Sequence, residues 1–142
     1  MKFKSRKDLF MIFLVYGINL LTIGFCLFLY FEEGFSNGNI VAFILLPALV
    51  VFLFGLLYTH YELSNGYFKY STGFIINGKI EINRIREIVK GKTLRVGFKP
   101  ATATKGLIIK YDKYEELYIS PDTNDSFIEE ILKIKSDIVI TE

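Results

Sequence analysis

Residues Tyr61 to Ile88 read YELSNGYFKYSTGFIINGKIEINRIREI, and this stretch decides the fold. Two Asn-Gly pairs, Asn65-Gly66 and Asn77-Gly78, stand between short runs rich in Tyr, Phe and Ile. Asn-Gly takes positive φ readily at both centres of a two-residue turn, whose twist matches that of paired strands. The spacing predicts two hairpins, Tyr61 to Leu63 against Tyr67 to Tyr70 and Phe74 to Ile76 against Lys79 to Ile82. Ile80 and Ile82, followed by Ile85 and Ile88, place apolar residues inward as one strand passes through a bend into the next.

Working toward Glu142, Leu94 to Val96, Leu107 to Tyr111 and Glu116 to Ile119 read as further strands. Then the period changes. Ser126-Phe127-Ile128-Glu129 has the form of a capping box, and Phe127, Ile128, Ile131, Leu132 and Lys135 follow helical spacing. Glu129 and Glu130 suit the start of that helix and lie four and three residues before Lys133.

Working toward Met1, the chain becomes far more apolar. Hydrophobic residues make up 51% of the 142 residues, and the mean hydropathy is +0.36. The excess lies in two uncharged runs, Leu9 to Phe31 and Ile40 to Tyr58. Each matches the roughly 30 Å of bilayer hydrocarbon at about 1.5 Å per helical residue. The first is too long for a signal-peptide core and no small-residue cleavage site follows it, so it reads as a retained span. The loop Glu32 to Asn39 carries two acids and no base, whereas Lys2, Lys4, Arg6 and Lys7 precede the first run. Basic flanks stay inside. The expected organisation is a cytoplasmic tip and two-helix transmembrane hairpin over residues 1–61, with helices at about 9–31 and 40–61, then a cytoplasmic domain over 62–142. The expected location is a bacterial cytoplasmic membrane, multi-pass, with both termini cytoplasmic, and residues from about Tyr61 onward are expected to fold without the hairpin.

Within the hairpin, Pro47 should kink the second helix. Gly17 and Gly24 are a heptad apart on the first helix, as are Ala48 and Gly55 on the second, and small residues permit close helix packing. Asn19 should hydrogen-bond to the other helix or to a second copy of the chain. Cys26 has no partner, so neither an intrachain disulfide nor a thiolate metal site can form.

Catalytic chemistry is hard to find. His60 is the only histidine, and the apolar pattern places it at the membrane end of the second helix, a structural position. With one His and one Cys, only carboxylates remain for a metal, and Glu115-Glu116 and Glu129-Glu130 read as solvated pairs. There is no Gly-rich phosphate loop. No enzyme, cofactor or metal is expected. Charge is unevenly spread instead: Lys79 to Lys113 holds ten bases and three acids, Tyr114 to Glu142 two bases and eight acids. Lys90, Lys92, Arg95, Lys99 and Lys105 fall around loops, where anionic lipid would attract each by about 1 kcal/mol. The competing reading is an ordinary solvated strand surface. Nucleic acid comes last, because those bases lack interleaved aromatics.

Several strings resemble a bacterial PH-like family whose members hang from one or two membrane helices: Tyr61-Glu62-Leu63 with Gly66; Gly78 with Ile80, Ile82, Ile85 and Ile88; Ala101-Thr102-Ala103-Thr104 before Leu107 and Ile109; and Ile119-Ser120-Pro121 leading into Phe127, Ile131 and Leu132. The resemblance implies a membrane α-hairpin plus a mainly antiparallel PH-like β barrel or sandwich with a C-terminal helix. It implies no catalytic residues, and one branch of the family resembles bacteriocin-immunity proteins. The expected function is a non-catalytic, membrane-anchored binding module for immunity or membrane-stress protection through protein interaction, with Tyr67, Phe98 and Tyr114 as an apolar surface. The alternative is a sensor of anionic lipid headgroups. The partners expected are the lipid bilayer, anionic lipid or a membrane-active peptide or protein, and a second copy of the chain.

Overall fold

The computed structural model of the chain describes residues 1–34, 36, 39–73, 76–94 and 97–142. In chain order these form β1 (Lys2–Lys4), α1 (Leu9–Glu33), α2 (Ile40–Leu56), β2 (Thr59–Ser64), β3 (Tyr67–Thr72), β4 (Ile76–Glu81), a 3-10 turn (Ile82–Arg84), β5 (Ile85–Lys90), β6 (Leu107–Tyr111), β7 (Glu115–Ile119), α3 (Asn124–Ile134) and β8 (Val139–Thr141). Strands β1-β2-β3-β4 make one antiparallel sheet. Strands β7-β6-β5-β8 make a second, in which β8 runs parallel to β5. The sheets do not close into a barrel; they form the sandwich arm of the expectation, joined by the 3-10 turn between β4 and β5.

Strand alternation builds the core. Tyr61 and Leu63 of β2, Phe68 of β3, Leu107 and Ile109 of β6, and Leu117 and Ile119 of β7 all point inward and are buried. Helix α3 closes the space with Phe127, Ile128 and Ile131. The Phe127 ring stands edge-on to Phe68 at 5.5 Å and to Phe3 of β1 at 5.3 Å. Burying such a ring is worth about 1.5–3 kcal/mol. Phe3 is 7% exposed, so the first strand is part of this core. A fragment starting at Tyr61 would lack this ring and its contact with Phe127.

The first predicted hairpin forms as read, with Asn65 and Gly66 at φ 53° and 77°. The second does not. β4 runs straight through Asn77-Gly78, and the chain reverses between Thr72 and Ile76, at Gly73 with φ 58°; Phe74 and Ile75 lie outside the described residues. The reason is register. Pairing β4 with β3 sets Ile80 opposite Phe68 in the core and Gly78 opposite Tyr70, whose ring occupies the place of the missing side chain: a Cβ on Gly78 would sit 2.2 Å from the Tyr70 hydroxyl. Burial along one face outweighs the local turn preference.

Other differences are local. Helix α3 begins two residues before Ser126, with Thr123 as its N-cap, so the expected capping box is not used. Leu94 is buried but lies in no strand, and Arg95 and Val96 lie outside the described residues. Helix α2 stops at Leu56, and His60 therefore sits in β2 opposite Lys4, not at a helix end. Helix α1 has 25 residues and is long and apolar enough to cross a membrane; α2, with 17, spans about 26 Å.

The two helices form a hairpin in which Tyr16, early in α1, meets Phe54, late in α2, edge-on at 5.4 Å. Val15, Asn19 and Thr22 form the buried stripe of α1. Gly17 and Gly24 are exposed with nothing within 4 Å of an added Cβ, so the expected glycine packing is not what joins α1 to α2. Asn19 is 2% exposed and, among the described residues, neither its Nδ2 nor its Oδ1 has a partner, so the expected hydrogen bond to the other helix is not made there. Ala48 is exposed, whereas Gly55 is buried where α2 meets the β3–β4 turn: a Cβ on Gly73 would lie 2.9 Å from the Gly55 carbonyl oxygen.

Candidate functional site

The junction between helices and sheets holds a cluster of hydrogen-bonded polar side chains. Alternation in Lys2-Phe3-Lys4-Ser5 sends Phe3 and Ser5 inward and the lysines outward. Ser5 Oγ lies 2.8 Å from Ser120 Oγ, 3.0 Å from Thr102 Oγ1 and 3.1 Å from the Tyr61 hydroxyl. The Tyr61 hydroxyl donates to Pro100 O (2.7 Å) and accepts from the Ser120 amide (3.1 Å). Burial pushes its titration above the ordinary range, so it stays a donor at physiological pH. Main-chain bonds continue the seam: Ser5 N–H to Thr59 O, Arg6 N–H to Ser120 O and Asp8 N–H to Thr102 O.

Asp8 and Arg6 finish it. The Asp8 carboxylate accepts from the Thr104 amide (2.6 Å) and the Thr104 hydroxyl (2.8 Å) and caps nothing in its own helix. The Thr104 amide, more than any other group, holds its pKa below the usual carboxylate value. Arg6 Nη2 donates to the carbonyls of Thr104 and Lys105 at 2.6 and 3.1 Å. At the other helix, Thr59 Oγ1 donates to Leu56 O (3.1 Å). Both ends of the hairpin are therefore fixed to the sheets, with two residues between α2 and β2.

The predicted cations are scattered by this geometry. Lys90 pairs with Asp125 of α3 at 2.5 Å, the main cause of its raised pKa, and Lys92 donates to the main-chain oxygen of Glu142 at 2.6 Å. Folding thus sets part of the basic segment against the acidic one. Arg95 lies outside the described residues. Lys99 and Lys105 are exposed on the segment beside the start of α1.

The predicted aromatics do not gather either. The Tyr67 ring faces Lys79 Nζ at 5.2 Å, Phe98 lies 5.7 Å from the Tyr70 ring, and Tyr114, 81% exposed, faces Lys113. Among the described residues no ring contact joins the three.

Two grooves emerge that linear reading missed. One, of about 480 Å³, lies on the outer face of the first sheet, lined by His60, Glu62, Lys69, Ser71, Asn77 and Lys79. Outward alternation of Lys2, Lys4, Lys69 and Lys79 was the signal, spread over three strands. The other, of about 760 Å³, runs between the start of α1 (Lys7 to Met11) and the segment Thr93, Lys99 and Ala101 to Thr104. Its walls come from residues some ninety positions apart, which no local pattern links. Among the described residues no group of three His, Cys, Asp or Glu side chains is placed to hold a metal.

Comparison with known proteins adds one finding. No curated protein and no solved structure matches the chain. A family model described as Bacterial PH domain matches residues 59–135, covering β2 to the end of α3 and more than half of the sequence. The two sheets, the closing helix and this match agree, and the chain belongs to the bacterial PH domain family.

Proposed function

We propose that this chain is a membrane-anchored, non-catalytic binding module that holds its bacterial PH domain in a fixed orientation at the cytoplasmic face of the membrane. PH-like domains generally bind rather than catalyse, and the family match supports that much. The observation that carries the rest is the two-ended clamp. Ser5 to Asp8 at the start of α1 and Thr59 after α2 are both bonded into the sheets, leaving no slack for the domain to swing. If α1 crosses the bilayer, α2 must return the chain to the same side, since both helix bases join one domain. The basic residues before α1 favour that side as cytoplasmic.

The partner we propose is a membrane-active peptide or protein, in the manner of bacteriocin immunity or membrane-stress protection, met through exposed aromatic residues that include Phe98 and Tyr114. Cells lacking the chain, challenged with membrane-active peptides, should be sensitised, and the full chain should restore them while Phe98→Ala/Tyr114→Ala should not. Equal sensitivity with and without the chain would refute the protective role.

The second reading, a sensor of anionic headgroups, is favoured by the groove beside the start of α1, where Lys7 and Lys99 meet the first residues of the candidate span.

A further inference from the structure

We infer that the open edge of β4 is a docking edge for an extended segment of the protein or peptide partner, which adds to the first sheet as a further antiparallel strand. This rests on the protein-partner reading above and names how that partner is held. Three observations meet here.

The first is the hydrogen-bond phase of the sheet. The Gly73 amide donates to Tyr58 O, one step beyond the pair Thr59 and Thr72, so Tyr67, Lys69 and Ser71 of β3 bond to β2. The Ile82 amide donates to Gly66 O, one step beyond the pair Glu81 and Tyr67, so Ile76, Gly78 and Ile80 of β4 bond to Thr72, Tyr70 and Phe68. The two phases agree. The N–H and C=O of Asn77 and Lys79 and the N–H of Glu81 therefore point away from β3, at the end of the strand order. These residues are exposed, and no main-chain bond joins those groups to another described residue. Such an edge is a template for another strand.

The second is the side of the edge that faces the core. The Tyr70 ring fills the place of a Gly78 side chain, so a residue laid opposite Gly78 meets that ring directly. The Tyr70 hydroxyl has no hydrogen-bond partner among the described residues, and burial raises its titration, so it is a donor at neutral pH. Phe98, 44% exposed, flanks the ring at 5.7 Å. A threonine opposite Gly78 offers the hydroxyl a partner and the rings a methyl group, and buried Ile80 calls for an apolar residue across from it.

The third is charge. An acid opposite Lys79 and a base opposite Glu81 complete opposite-charge pairs across the new ladder. Read antiparallel to β4, from Glu81 back to Asn77, the complement is Lys-Val-Glu-Thr-Asn. A second copy of β4 does not supply it, because full antiparallel overlap sets Lys79 against Lys79.

The test is a nuclear magnetic resonance titration of the nitrogen-labelled full chain, in zwitterionic phosphocholine micelles, with a peptide carrying Lys-Val-Glu-Thr-Asn between Gly-Ser flanks. The amides of Asn77, Lys79 and Glu81 should gain protection from solvent exchange, while those of Gly78 and Ile80, already bonded to β3, should keep theirs. N-methylation of the peptide's Lys, Glu and Asn, whose amides face β4, should abolish binding, and N-methylation of its Val and Thr should not. Glu81 has φ −67°, which proline adopts without strain, so Glu81→Pro should bind about five-fold more weakly than Glu81→Gln, which keeps the amide. Lys79→Glu should weaken binding about five-fold, and a peptide with Lys in place of its Glu should restore it. Uniform changes along β4, equal binding by the two methylated peptides, or no binding at all would overturn the docking edge. Dimerisation of the wild type that Glu81→Pro abolishes would make the edge a contact between copies and overturn the partner assignment. The titration needs no cellular phenotype: a failed peptide challenge with a successful titration removes the protective role and keeps the edge, and the reverse pair of results removes the edge alone.

Discussion

Replacing Tyr61 with Phe removes one oxygen from the centre of the clamp and nothing else. Tyr61 is fully buried, and the ring's contacts with the core, including Phe68 at 6.3 Å, are kept in the variant. What is lost is the acceptor for the Ser120 amide and the donor to Pro100 O, while Ser5 Oγ keeps Thr102 and Ser120 as neighbours. Ser120 and Pro100 are themselves buried, so water cannot replace the missing hydroxyl. Each of the two buried groups left without a partner costs about 1–3 kcal/mol, so the variant should lose about 2–6 kcal/mol. That is a large share of the roughly 5–15 kcal/mol that holds a domain folded. The assay is guanidinium unfolding of the detergent-solubilised full chain followed by near-UV circular dichroism of its tyrosines, which reports domain packing while micelles keep the helices. A midpoint change equivalent to less than about 0.5 kcal/mol would refute the reasoning, because it would mean that the hydroxyl is not bonded as described.

Two further outcomes follow from particular residues. Asn65→Val should destabilise the chain by about 1 kcal/mol, since φ 53° is costly for a branched side chain, whereas Asn77→Val, mid-strand and facing out, should be neutral or stabilising; equal effects in denaturant titrations would restore the turn at Asn77-Gly78. Asp8 has a pKa below its ordinary 3.8 when folded, so its contribution is fully present above that pH and is lost as pH falls through the folded value. Asp8→Asn, which can still accept from Thr104, should therefore flatten the decline in unfolding midpoint as pH falls below the ordinary carboxylate value.

How much of this was legible in the sequence depended on how local the signal was. Asn65-Gly66 announces its hairpin because the turn and both strands lie within a dozen residues, and β6, β7 and α3 carry their own alternation or helical spacing. Asn77-Gly78 misleads for the same reason: its local preference is overruled by Phe68 and Tyr70 across the sheet. β1 was hidden because three residues, two of them lysines, are too few to show a period and read equally well as the basic flank of a membrane helix. β8 is as short and has its partner β5 about fifty residues away. The site was the least visible part. Ser5, Tyr61, Thr102 and Ser120 are unremarkable singly and become a cluster only through long-range contacts. The basic stretch was plain in the sequence, but only the fold shows that Lys90 and Lys92 turn to acids and carbonyls while Lys7 and Lys99 face one groove.

The central claim, that the segment before α1 is locked into the PH domain at the membrane surface, is tested most directly by disulfide trapping. Ser5 and Ser120 have their hydroxyl oxygens 2.8 Å apart, so cysteines at the two positions, in a Cys26→Ser background, place their sulfurs within bonding reach. Mild oxidation of native membranes holding the full chain should link them nearly completely, as read by a mobility shift that reductant reverses. Cysteines that stay reduced, with the one at position 5 open to a maleimide, would contradict the clamp and with it the fixed orientation of the domain.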